Sequence, residues 1–176
     1  MRLCACSAAA VAPRRSPRVK PATAYTKDVG RTSDHMQKRR YHALRMISIA
    51  DLQKVARARL QDAKALCKAK RYDGATYLAG YAVEVGLKAR ICKSLGWKEF
   101  PETAKEFEGL VTFKTHKLPL LLRLSGREEV VKQKVFVEWS AVASWDPETR
   151  YRAVGASSKK EAELMIESAA AILSLL

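Results

Sequence analysis

The sequence predicts an all-α protein folded as an antiparallel, up-and-down helical bundle of four longer helices and a short one, and three observations predict it. Apolar residues recur at three- and four-residue spacing through most of 46–176. Helix punctuation stands where those stretches begin and end, with Ser48, Asp73 and Ser158 at starts and Gly96 and Gly126 at stops. No internal repeat, Gly-rich phosphate loop or heptad series interrupts the pattern.

The first helix opens at Ser48, where Ser48-Ile49-Ala50-Asp51 places a carboxylate three residues after a serine, and runs to about Ala69. Ile49, Leu52, Val55, Ala56, Leu60, Ala63 and Leu66 form its apolar stripe; Lys54, Arg57, Arg59 and Lys64 lie off it and make the outer face basic. A short turn at Lys70 to Asp73 leads to a second helix from about Gly74 to Leu95, with Asp73 as N-cap and Gly96 just past the end, so the two pack as an antiparallel hairpin. Ala75, Ala79, Ala82, Gly86 and Ala89 allow neighbouring helices to approach it closely. Trp97 to Thr115 contains Pro101 and Gly109, has no sustained period and reads as a connection.

A shorter third helix starts near Thr115, tolerates Pro119 because it falls in the first turn, and ends at Gly126. Glu128 to about Trp145 reads as a fourth helix, carrying Val130, Val131, Val135, Val137, Trp139 and Val142; its β-branched content admits a strand across Val135 to Val137 as the alternative. After the break at Trp145-Asp146-Pro147-Glu148, Ser158-Lys159-Lys160-Glu161 is a capping-box signature. The last helix follows, with Leu164, Met165, Ile166, Ala169, Ile172, Leu173 and Leu176 predicted to face inward.

With 176 residues the chain holds one domain with a real core plus a tail. The net charge of +15 is uneven: residues 1–45 carry eleven Lys and Arg against two Asp and Glu, a net of +9, whereas 46–176 carry twenty-two against sixteen, a net of +6. The domain itself is thus only moderately basic, and the pI alone does not argue for nucleic acid. Residues 1–45, with Pro13, Pro17 and Pro21 and little apolar periodicity, read as a disordered basic arm, as a start placed too far upstream with Met46 the native one, or as a targeting segment. Cys4, Cys6, Cys67 and Cys92 include no Cys-x-x-Cys and no histidine at ligand spacing, so reduced thiols in a cytoplasmic protein are expected, with no metal and no cofactor. No window approaches the ~18 apolar residues of a membrane-spanning helix, and no membrane partner is expected.

Three motifs then occur in order over this bundle: Glu84-x-x-Leu87-Lys88-Ala89 on the second helix, Thr115-His116-x-Leu118-x-x-Leu121-Leu122 on the third segment, and Trp145-x-x-x-x-Arg150-Tyr151 before the last helix. Together they resemble the HEPN domain family, a nucleotide-binding domain of higher eukaryotes and prokaryotes, over about Ile49 to Leu176. The resemblance implies an up-and-down helical bundle, frequent homodimerisation, and partnership with minimal nucleotidyltransferases in toxin and antitoxin pairs. Many members of the family are metal-independent RNases that use an Arg followed, after four to six residues, by a His. The histidines here are His35, His42 and His116, and none has an Arg at that spacing; Arg31 stands only three intervening residues before His35. That chemistry needs a His for proton transfer and an Arg for phosphate charge, so the missing pair argues against catalysis.

Two groups of residues are the site candidates. Trp145, Arg150 and Tyr151 combine aromatic planes with a guanidinium, which suits base stacking and phosphate pairing; the bland alternative is a corner that closes the bundle. Glu84 either orients a ligand or pairs with Lys88 one turn on, and His116 either meets phosphate or merely packs at a helix start. The reading these residues favour is a non-catalytic nucleotide- or RNA-binding module engaging its ligand, or a nucleotidyltransferase partner, through Trp145, Arg150 and Tyr151, with Lys88 and Arg90 adding positive field. The alternatives are a divergent metal-independent RNase working through His116 and a dimerisation or adaptor domain.

Overall fold

In a computed structural model of the protein, residues 47–101 and 108–176 are described; the expectations for the 1–45 segment and for Met46 lie outside them. The elements run β1 (Ile47–Ser48), α1 (Ile49–Lys68), α2 (Tyr72–Leu95), β2 (Glu99–Phe100), a 3-10 turn (Val111–Phe113), α3 (Leu118–Leu124), α4 (Glu128–Lys134), α5 (Phe136–Val142), a second 3-10 turn (Pro147–Tyr151) and α6 (Lys159–Ser174). The protein is an all-α bundle, as the sequence predicts. Its described helices divide into three long ones, of 20, 24 and 16 residues, and three of seven.

Ser48 caps α1 by accepting the Asp51 N–H on its hydroxyl at 3.2 Å, and Leu52, Ala56, Leu60 and Ala63 form the buried stripe. The helix closes in a Schellman arrangement: the Arg71 N–H reaches the Leu66 carbonyl and the Lys70 N–H the Cys67 carbonyl. Lys70 therefore takes a left-handed φ of 61°, unusual for a side chain with a Cβ, and the tight turn sends α2 back along α1.

Helix α2 lies at the centre, packed by α1, α3, α6 and the second 3-10 turn, and is buried almost all round. That is why small residues crowd it. Gly80 faces the Trp145 indole and Gly86 faces Leu173, each at a place where a Cβ would overlap the neighbour. Gly96 ends the helix in the left-handed region, as its position predicts.

Asp73 is not the N-cap. It lies inside the first turn of α2, and its carboxylate accepts the N–H groups of Gly155 and Ser157, both at 2.7 Å, tying the loop before α6 to the start of α2. The predicted fourth helix is two short ones, because Val135 (φ −142°, ψ 47°) leaves helical geometry within a β-branched run. Val135 still donates to Val131 and accepts from Trp139, so the break leaves its backbone groups paired. No strand forms at Val135 to Val137. The two-residue antiparallel ladder of Ile47 with Phe100 and Ser48 with Glu99 is an addition to the expected fold, and it lays the connection after α2 against the start of α1.

At the far end, the Ser94 hydroxyl donates to the Ser125 carbonyl at 2.8 Å, and the Arg127 guanidinium holds the Leu175 carbonyl through two bonds of 2.7 and 3.1 Å. Helix α6 begins at the capping box that its sequence predicts, Ser158 and Glu161 each accepting the other's backbone N–H.

Candidate functional site

Tyr77, Tyr81, Glu84 and Lys88 stand at i, i+4, i+7 and i+11 on α2, the spacing that places four side chains along one line of a helix. Tyr77 and Tyr81 are stacked, with ring centroids 6.5 Å apart and planes 15° from parallel. Glu84 is 2% exposed, and a buried carboxylate is tolerated only when its charge is met. Two groups meet it on one oxygen: Oε1 lies 2.6 Å from Lys88 Nζ and 2.8 Å from His116 Nδ1. Lys88 is the neighbour one turn along α2, while His116 arrives from the extended segment that enters α3. A carboxylate oxygen only accepts, so Nδ1 carries the hydrogen and Nε2 is the ring's other functional edge.

These three side chains edge a cavity of about 320 Å³ whose apolar body is made by Ile47, Leu52, Val85, Phe100 and Phe113. The β1–β2 ladder positions Ile47 and Phe100 there, and the Phe100 ring also lies 5.5 Å from Lys88 Nζ, within range of a cation–π contact. Lys114 and Tyr81 complete the rim. Burial, then the charge of Glu84, pushes the Tyr81 phenol above its ordinary range, so the hydroxyl keeps its proton and can donate.

At the other end of the stripe, the Arg150 guanidinium lies 4.8 Å from the Tyr151 ring centroid and 3.5 Å from Glu148. Hydrogen bonds to Tyr151 first, then to Tyr77, raise its pKa further. Tyr151 is 72% exposed. Through Tyr77 and Tyr81, this Arg–Tyr pair and the Glu84 cavity are joined along one surface that spans roughly 16 Å of α2 at 1.5 Å per residue.

Trp145 belongs to the core side of that surface. It is 6% exposed, packed on Gly80 and tilted 41° against Tyr77 with centroids 5.9 Å apart, and its Nε1–H has no hydrogen-bond partner among the described residues. The structure thus brings Glu84, Lys88 and His116 together, and Arg150 with Tyr151, but turns the Trp145 plane inward. Arg90 stands about 200° around α2 from Lys88 and shares no surface with it. Tyr77 and Tyr81 were missed by sequence reasoning, although their spacing from Glu84 and Lys88 carries the signal. Among the described residues no group of three or more His, Cys, Asp or Glu could hold a metal ion, and no helix is long and apolar enough to cross a membrane.

No curated protein and no solved structure matches the chain. A family model described as the HEPN domain matches residues 49–176, from the first residue of α1 through the end of α6. That match takes in every helix of the bundle and both ends of the α2 stripe, and the chain belongs to the HEPN domain family.

Proposed function

We propose that this HEPN domain binds RNA or a nucleotide along the α2 stripe, without cleaving it. The observation that carries the reading is the Glu84 carboxylate holding Lys88 and His116 on one oxygen at the mouth of a mainly apolar cavity. Among the described residues one carboxylate faces Lys88, Lys114 and the His116 ring there, which leaves positive field and N–H donors for phosphate, while the cavity and the exposed Tyr151 ring offer surfaces for a base. The absence of an Arg four to six residues before His116 is the reason for proposing binding without cleavage.

A short fluorescent single-stranded RNA titrated into the full chain tests this. Binding is expected to weaken as salt rises, because each phosphate contact releases counterions, and Lys88→Ala and Lys114→Ala are each expected to weaken it. RNA that stays unbound at low salt would overturn the proposal and favour the adaptor reading.

One observation favours a second reading. A His whose Nδ1–H is held by a carboxylate, with a Lys on the same oxygen, is the arrangement of a proton-transfer pair beside a phosphate-stabilising cation. RNA cleavage in chelator that disappears in His116→Ala would make the protein a divergent RNase. Homodimerisation and a minimal nucleotidyltransferase partner belong to the same proposal. Light scattering on the chain, alone and mixed with such an enzyme, tests them.

A further inference from the structure

The opposite face of α2 carries a second cluster. Gly86, Arg90 and Lys93, at i, i+4 and i+7 on α2, face Gln53 and Arg57, at i and i+4 on α1, across the groove between the two antiparallel helices. With Ala56 and the end of α6 they enclose a cavity of about 130 Å³. Among the described residues no acidic side chain lines it. No ion pair joins Arg57, Arg90 or Lys93 to a carboxylate among the described residues. The Arg90 Nε is buried and has no hydrogen-bond partner among those residues. Among the described residues, three like charges gathered at one cavity, with one guanidinium N–H out of water and unpaired, have no counter-charge.

We infer that this groove is a phosphate-binding site, separate from the stripe that carries Lys88 and His116. The oxygens of one phosphate group satisfy the Arg90 guanidinium edge, Arg57 and Lys93 close on it from either helix, and the Gln53 amide donates a further N–H. The cavity equals a few water molecules in volume, which admits a phosphate group and excludes a whole nucleotide. The phosphate is therefore either free or the exposed end or backbone of a larger chain. The inference does not depend on the reading proposed for the other face.

The arginine Nε–H resonances of the isotope-labelled full chain test it, at low ionic strength, with inorganic phosphate, a 5′-phosphorylated short RNA and the same RNA with a 5′-hydroxyl. A saturable shift of the Arg90 Nε–H signal is expected with phosphate. Arg57→Gln and Lys93→Gln, both at exposed positions, are expected to weaken it by about tenfold each, the loss of one charge-assisted hydrogen bond. A response to the phosphorylated RNA alone assigns the site to terminal phosphate, and a response to both RNAs assigns it to the backbone. Lys88→Gln is expected to leave the Arg90 response in place while weakening RNA binding on the other face, which separates the two proposals. An Arg90 signal unmoved by all three probes, or moved equally in Arg57→Gln and Lys93→Gln, overturns the inference.

Discussion

Nδ1 of His116 lies 2.8 Å from Oε1 of Glu84, joining the segment before α3 to the middle of α2 through a carboxylate that is almost fully buried. The contact decides how the candidate site responds to mutation. His116 is 60% exposed and can turn to water when its partner goes, but the Lys88 side chain is only 17% exposed and cannot do so freely.

Glu84→Gln is therefore expected to lower stability by about 1–3 kcal/mol, the range for removing a charged hydrogen-bond partner from a buried group. Urea denaturation of the two proteins measures it. Unchanged stability would mean that Lys88 leaves for solvent without penalty and that the pair is not a structural constraint.

Two glycines on α2 separate rigid from yielding neighbours. An added Cβ at Gly80 overlaps the Trp145 indole, a ring already held by Tyr77, whereas at Gly86 it meets the end of the Leu173 side chain, which can rotate away. Gly80→Ala is expected to destabilise by about 1–3 kcal/mol, partly offset by the ~0.5–1 kcal/mol that Ala gains over Gly in a helix. Gly86→Ala is expected to fall within about 1 kcal/mol of the parent, since the helix gain offsets most of the repacking. Equal thermal shifts in the two variants would contradict this distinction.

The contrast also marks what the sequence could carry. Ser158 with Glu161, Ser48 with Asp51, and Gly96 were legible because each acts on backbone groups within a turn of itself. Asp73 looks like a cap for the same reason, yet its partners Gly155 and Ser157 lie 82 and 84 residues away, and no local rule reaches them. The break at Val135 was hidden because Val131, Val135, Trp139 and Val142 keep helical spacing across it; the backbone dihedrals of Val135 change, and the apolar pattern does not. The β1–β2 ladder has two residues a side and no period to read. At the candidate site, Glu84 with Lys88 was legible as a pair one turn apart, while the burial of Trp145 rests on Gly80 of another element.

Asp73 makes acid sensitivity predictable in sign. The Gly155 N–H, then the Ser157 N–H, holds its carboxyl below the usual carboxylate range of 3.8. A folded pKa below the unfolded one contributes stability that is present above the unfolded value and is lost as pH falls through the folded value. The thermal stability gap between the protein and Asp73→Asn is expected to be complete near neutral pH and to narrow below about pH 4. A gap that stays constant down to pH 2 would place the role of Asp73 in geometry alone.

Trp145 and Arg150, five residues apart in sequence, are expected to fail in different ways. Trp145 is buried against Gly80 and Tyr77, so Trp145→Ala empties a core position and is expected to lower stability by about 3–5 kcal/mol, with RNA binding reduced only as far as the folded fraction falls. Arg150 and Tyr151 face solvent, and Tyr151→Ala and Arg150→Ala are expected to leave the melting temperature close to that of the parent. Arg150→Ala is expected to weaken RNA binding and to reduce the slope of log affinity against log salt by about one, the loss of one phosphate contact. Tyr151→Ala is expected to weaken binding with the slope unchanged, because stacking releases no counterion. Anisotropy titrations at several salt concentrations, paired with thermal melts, distinguish the three outcomes. If Arg150→Ala binds RNA with the parent's affinity and slope, the Arg–Tyr end of the stripe is a structural corner and the ligand stops at Lys88 and His116.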